Sequence, residues 1–214
     1  MRIRINPRPS VTDFQPVPAD LTFIRQPKPA PGLVISVLVG LGLPIIPFAF
    51  LSAESWLLPR AETGMAETIP WWIVFPVVLV CVLAHEFLHL IGHPGWGRSD
   101  RSTVLIWPNR FQLGVHYEGF MKRSRWLVMR LSPLVGLTLL PTIFLLAAYP
   151  YDVSFFWQQF IVLVILVNSL GAGGDLVAAA IVARQVPAAG EVGIWNGRAC
   201  WRPAAQVGEQ HRAS

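Results

Sequence analysis

The segment Ala84-His85-Glu86-Phe87-Leu88-His89 places two imidazoles four residues apart, with a carboxylate beside the first. On a helix this spacing puts both rings on one face, about 40° apart and one turn from each other. Two imidazoles so placed can grip one tetrahedral zinc. Glu86 can then accept a proton from a water that the metal acidifies and pass it on to a leaving amine. In a soluble chain the same five residues are as well explained by a solvated helix face. Here they lie in an apolar run from Pro70 to about Ile91. Ionisable groups in such a run cost several kcal/mol unless paired or ligated, so a functional role is the default. At 1.5 Å per residue His85 is about 22 Å from a helix start at Pro70, which puts it in the cytoplasmic half of a bilayer.

A catalytic zinc needs a third protein ligand so that water can take the fourth place. Asp175 and His93 are the candidates, and Asp175 is favoured. It is the only acidic residue of its apolar run, and Gly171, Gly173 and Gly174 before it allow close backbone approach and a local break in the helix. His93 follows His89 by one further turn, but Gly92 and Pro94 mark a helix end there. Asn168 lies seven residues before Asp175, so a regular helix would put both on one face. It could donate to a developing oxyanion, or simply hydrogen-bond a neighbouring helix.

The elements that must position these groups follow from apolar patterning. Four runs, approximately 33–51, 70–91, 127–149 and 155–182, are long enough to cross a hydrocarbon core of roughly 30 Å. Pro44 and Pro47 should kink the first, and Pro133 and Pro141 interrupt the third. The fold expected is an all-α integral membrane protein of about four transmembrane helices with small cytoplasmic β-hairpins. Residues 1–31 form a proline-rich basic tail, 32–184 the membrane domain and 185–214 a second tail. In the first tail, Arg2-Ile3-Arg4-Ile5 alternates like one short strand. Thr103 to Trp107 and Phe111 to Tyr117, on either side of Pro108-Asn109-Arg110, read as a hairpin. Its His116 and Tyr117 could meet a substrate strand or simply sit at the interface. Asn196-Gly197 marks another tight hairpin turn.

Composition agrees with a bilayer setting. The chain is 53% hydrophobic and only 14% charged, well below the roughly one-quarter charged share of soluble domains. Nine tryptophans suit the membrane boundary. Cys81 and Cys200 are too differently placed for a disulfide framework, so two free thiols are expected. The net charge of +5 and pI of 9.9 come from Lys and Arg spread over segments between apolar runs. This is positive-inside topology rather than a nucleic-acid site, and it places both termini in the cytoplasm. Arg123, Arg125 and Arg130 read as topology determinants at a helix start.

The His85-Glu86-Phe87-Leu88-His89 span, the basic hairpin loop, Ser132-Pro133, and Asn168 followed by Gly173-Gly174-Asp175 resemble the bacterial family of putative zincin peptidases. That family is itself similar to the site-2-protease-like intramembrane metalloproteases. The resemblance covers roughly residues 70 to 184. It implies a zinc ion held by His85, His89 and Asp175, Glu86 as general base, and Asn168 near the oxyanion. The Asn-Pro and Leu-Asp-Gly elements of site-2 proteases are replaced here by Asn168 and Gly174-Asp175-Leu176. The function implied is intramembrane hydrolysis of a peptide bond in a membrane-embedded or membrane-adjacent protein. Two other classes fit the same residues: a catalytically silent metal-binding adaptor, and a small proton-coupled transporter using Glu86 and Asp175.

Overall fold

Backbone polar groups find no water in hydrocarbon, so an apolar run that crosses it must close its own hydrogen bonds as a helix. The computed structural model describes residues 1–5, 17–45, 47–49, 69–108, 112–148 and 154–204. Among these residues, four helical segments are long and apolar enough to cross a membrane: Pro29–Ala49, Trp71–Gly92, Arg123–Ala148 and Phe156–Gln185. They match the four expected runs to within a few residues at each end. Trp71, Phe75 and Phe87 are 84%, 74% and 59% exposed. Such outward aromatic faces suit a lipid surrounding rather than water.

The elements in chain order are β1 (Arg2–Ile5), β2 (Thr22–Phe23), α1 (Pro29–Gly42), α2 (Trp71–Gly92), β3 (Ser102–Trp107), β4 (Gln112–Tyr117) and β5 (Met121–Lys122). Then come α3 (Arg123–Leu134), a π-helical turn (Val135–Leu139), α4 (Leu140–Ala148), α5 (Phe155–Gln185), β6 (Gly190–Trp195) and β7 (Arg198–Pro203). The chain divides into two compact units. Several expected features lie outside the described residues: the acidic connection up to Thr68, the hairpin tip from Asn109 to Phe111, Leu51, Tyr149 and Tyr151.

The first unit comprises Met1–Gln26, Leu90–Met129 and Ala180–Ser214. Its strands go further than the small hairpins expected of an all-α chain. One sheet has the order β1-β3-β4 and the other β2-β7-β6-β5. The alternating N-terminal residues supply β1, parallel to β3 with Arg2 opposite Thr103, while β3 and β4 pair antiparallel with Thr103 opposite His116. The second tail folds back as β6 and β7, and both residues of its turn have positive φ, Asn196 at 47° and Gly197 at 74°. That is the twist a two-residue hairpin demands, and glycine and asparagine bear it at least cost. Ile24, Val182, Val186 and Val192 form the buried core, with Trp126, Leu127 and Trp201 packed around them. Arg25 and Gln185 exchange two hydrogen bonds of 2.8 Å, fastening the segment after β2 to the end of α5.

Two arginines expected only to set topology also cap helix ends in this unit. Arg125 donates to the carbonyls of Gly92 and His93 at 3.1 and 2.9 Å, and Arg123 donates to that of Ala183 at 2.8 Å. Gly92 and Ala183 are last-turn acceptors, which lack partners within their own helices, and His93 lies just past the end of α2.

The second unit comprises Pro27–His89 and Arg130–Ala179. Its α5 runs unbroken through Gly171-Ala172-Gly173-Gly174, where a helix break was expected. The glycines serve packing instead. A Cβ on Gly173 would strike the Ser36 carbonyl oxygen and lie 2.7 Å from the Gly40 amide nitrogen; one on Gly40 would lie 2.7 Å from the Ser169 carbonyl oxygen. Backbones that touch this closely tolerate no side chain, which is the small-residue logic of helix pairs in lipid. The prolines of the third span act as expected on regularity: the helix leaves α geometry between Pro133 and Pro141 for the π turn Val135–Leu139. In the first span a turn at Leu43 and Pro44 ends α1.

Replacing Gly173 by Ala should therefore lower stability by about 1–3 kcal/mol through overpacking. Gly42, whose added Cβ would meet nothing within 4 Å, should accept Ala neutrally or gain up to about 1 kcal/mol of helix propensity. Thermal unfolding of the full chain in one detergent compares the two, and equal melting temperatures would contradict the close α1–α5 approach.

Candidate metal centre

The imidazoles of His85 and His89 project from α2, with ring centroids 4.9 Å apart and planes at 83°. Both Nε2 atoms face one carboxylate oxygen from α5, Oδ2 of Asp175, at 3.1 Å for His85 and 3.0 Å for His89. The donor atoms of the three side chains all lie within 4.8 Å of one another. His89 and Asp175 are buried and the His85 side chain is only 13% exposed. Zinc bound to nitrogen and oxygen at about 2.0–2.1 Å in tetrahedral geometry holds neighbouring donors about 3.3 Å apart. The two imidazole–carboxylate spacings of 3.1 and 3.0 Å fit an ion of that size.

Two of the three donors, His85 and Asp175, are held from behind. Asn168, also on α5 and buried, places Oδ1 2.8 Å from His85 Nδ1. Its Nδ2 lies 3.0 Å from the Pro133 carbonyl oxygen and 2.9 Å from Thr138 Oγ1. A carbonyl oxygen can only accept, so the amide group facing Pro133 is the NH2 and the one facing His85 is the oxygen. His85 must then carry its proton on Nδ1. Nε2 is then the nitrogen that faces the anionic oxygen, 3.1 Å away. Two acceptors at that distance repel unless a cation, a proton or a metal, lies between them.

The other oxygen of Asp175 is also fixed. Arg130 donates from NH1 to Oδ1 at 2.9 Å, which leaves Oδ2 to the histidines. Sequence reading gave Arg130 only a topological role. Ser132, two residues on in the same helix, donates to the Leu88 carbonyl at 3.0 Å. Nothing in the linear chain marks Arg130 itself, because its partner lies on another helix. Gly171 belongs to the site as well, for a Cβ there would come 3.1 Å from His85 Cε1.

The remaining candidates fall as follows. Glu86 is half-buried on α2 beside His85. His93 faces Ser102 at 3.2 Å and stacks edge-on to Tyr117 with ring centroids 5.5 Å apart. That buried polar pairing accounts for it without a metal. His116 stands on β4, where burial pushes its imidazole below the ordinary value, Arg4 adding to the shift and Glu118 opposing it. Cys81 and Cys200 are both free thiols. Burial pushes the Cys200 thiol up, with the Trp195 backbone and Arg202 opposing.

A pair of imidazoles and one carboxylate converging inside apolar helices is the donor set of a mononuclear metal centre, the kind a metallopeptidase carries. Residues 78–189 match the family described as putative zincin peptidase, and the chain belongs to that family. No curated protein and no solved structure matches the chain.

The Arg130–Asp175 contact yields a measurable coupling. Arg130→Met should destabilise the metal-free protein by about 1–2 kcal/mol, the lower range for a charged hydrogen bond because the arginine is partly exposed. In a double-mutant cycle with Asp175→Asn, the two losses should fall short of additive. Strict additivity of melting-derived free energies would show that the pair does not interact.

Proposed function

We propose that this protein is an intramembrane zinc metalloendopeptidase, similar in kind to the site-2 proteases, with His85, His89 and Asp175 as ligands and Glu86 as general base. The observation that carries the reading is the convergence of two imidazole nitrogens, Nε2 of His85 and Nε2 of His89, on one oxygen of Asp175 at 3.1 and 3.0 Å, a donor set that suits a single cation. Membership of the zincin peptidase family and the His-Glu-x-x-His order of the sequence support zinc as that cation.

Zinc held there would acidify a water and polarise the scissile carbonyl. Glu86, one residue from the first ligand, would take a proton from the attacking water and deliver it to the departing amine nitrogen. Asp175 contributes one negative charge to the site and is kept to a single inward oxygen by Arg130. Both amide protons of Asn168 are committed to Pro133 and Thr138, so its part in this scheme is to hold His85 rather than to bind an oxyanion. The substrate is a membrane-embedded or membrane-adjacent polypeptide, the lipid bilayer is the surrounding phase, and nucleic acid has no part. Basic residues in both terminal segments and the central loop support cytoplasmic placement of both termini.

Purified protein should hold about one zinc per chain, and the His85→Ala/His89→Ala double substitution should lose it. Metal analysis that finds no zinc in the unsubstituted protein would defeat the reading. Glu86→Gln should retain zinc yet abolish the release of membrane peptide fragments from cells. An adaptor that merely carries the metal would keep its cellular phenotype with this substitution, and a fragment pattern unchanged by it would remove the peptidase assignment.

A further inference from the structure

The buried polar atoms behind His85 form a chain whose directions can be assigned one by one. The Pro133 carbonyl oxygen has no proton to give, so it fixes which end of the Asn168 amide faces it. Thr138 Oγ1 takes the second amide proton at 2.9 Å. Asn168 Oδ1 is thereby turned to His85 at 2.8 Å, and the Nδ1 proton that it accepts makes Nε2 the nitrogen available to a metal. Asn168 and Thr138 are each only 2% exposed, so no water competes for these bonds.

Thr138 reaches Asn168 from the π turn Val135–Leu139, where Leu140 N–H bonds to Val135 across five residues instead of four. In a regular α-helix the residue stacked above Pro133 is Leu137, an apolar side chain with nothing to accept a proton. One wide turn shifts that face by about one residue and brings the hydroxyl of Thr138 toward it. Two acceptors from one stretch of helix then meet a single amide. π turns disrupt a helix's own hydrogen bonding and persist where something compensates, and here the compensation lies at the candidate metal centre.

We propose that the π turn, Thr138 and Asn168 are a positioning device for the metal centre: they lock His85 as an Nε2 ligand, so metal affinity depends on residues that never touch the metal. This rests on the zinc reading above and adds to it a role for Thr138 and a reason for the irregular helix. Thr138 and Asn168 are positioning residues. A hydrogen-bonded orientation behind a ligating imidazole typically accounts for about 10–100-fold in metal affinity.

The test titrates Zn2+ against a competing chelator, and Co2+ as a spectroscopic probe, into the metal-free full chain in detergent. Asn168→Leu, close in shape but unable to accept, should weaken zinc binding by about 10–100-fold and alter the cobalt ligand-field spectrum. Thr138→Val should weaken it less, about fivefold, since Pro133 still holds one amide proton, while Thr138→Ser should behave as the unsubstituted chain. A purely structural interhelical bond would lower the melting temperature of the metal-free protein and leave both zinc affinity and cobalt spectrum unmoved; that result overturns the proposal. If Asn168→Leu does not fold, the Thr138→Val and Thr138→Ser pair decides alone, equal affinities being the overturning result. A failure of the unsubstituted protein to bind either metal would overturn the zinc reading itself, whereas normal binding in all three variants would overturn only this inference.

Discussion

Polar groups taken out of water must find partners, and an apolar helical setting makes that requirement severe. Around His85 it is met almost atom by atom. Pro133 and Thr138 take the protons of Asn168, Asn168 takes the Nδ1 proton of His85, and Arg130 takes one oxygen of Asp175. What these bonds leave over is directed at a single point: the Nε2 atoms of two histidines and one carboxylate oxygen. The chemistry of the centre is therefore a remainder. It consists of the three donor atoms that these bonds turn toward one another.

Keeping three helices close enough to make those bonds constrains their side chains to be small where the backbones meet. Gly40 and Gly173 let α1 and α5 touch, Gly171 leaves room for the His85 ring, and Gly136 sits 3.0 Å, measured from a Cβ built on it, from a methyl of Leu88. Lipid tails are as apolar as leucine, so burying more hydrocarbon offers such helices little incentive to associate; close packing and interhelical hydrogen bonds carry that role. The same contacts that hold the helices also set the distances of the metal centre, so stability and site geometry are coupled. Substitutions at these glycines should be read for both.

The irregular third span shows how a local defect is used. Prolines at 133 and 141 deny the helix two backbone donors, and the helix widens between them into a π turn. A carbonyl and a hydroxyl from that stretch are spent on Asn168. In a soluble protein water could have served them. Here a side chain from another helix does, and the cost of the irregularity is offset at the place where orientation matters most.

Much of this was legible in the linear chain. The four apolar runs, the hairpins at 102–117 and 190–203, and the His-Glu-x-x-His face follow from periods of about 3.6 and 2 and from turn chemistry, all of which act between residues near in sequence. Asp175 could be favoured as a partner of the histidines because an acidic group in an apolar run demands one. Three features could not be read that way. The glycine run before Asp175 suggests a break by local propensity, and only the presence of α1 against it makes an unbroken helix the better packing. The alternation Arg2-Ile3-Arg4-Ile5 reads as a strand, but the strand it pairs with is settled only where β3 offers it an edge. Arg130 looks like a topology signal until Asp175, forty-five positions away, supplies its counter-charge. Local rules determine which element each stretch forms; which atoms are left unpaired, and so what chemistry remains, is decided only when distant stretches meet, because hydrogen bonds and ion pairs are properties of pairs and not of positions.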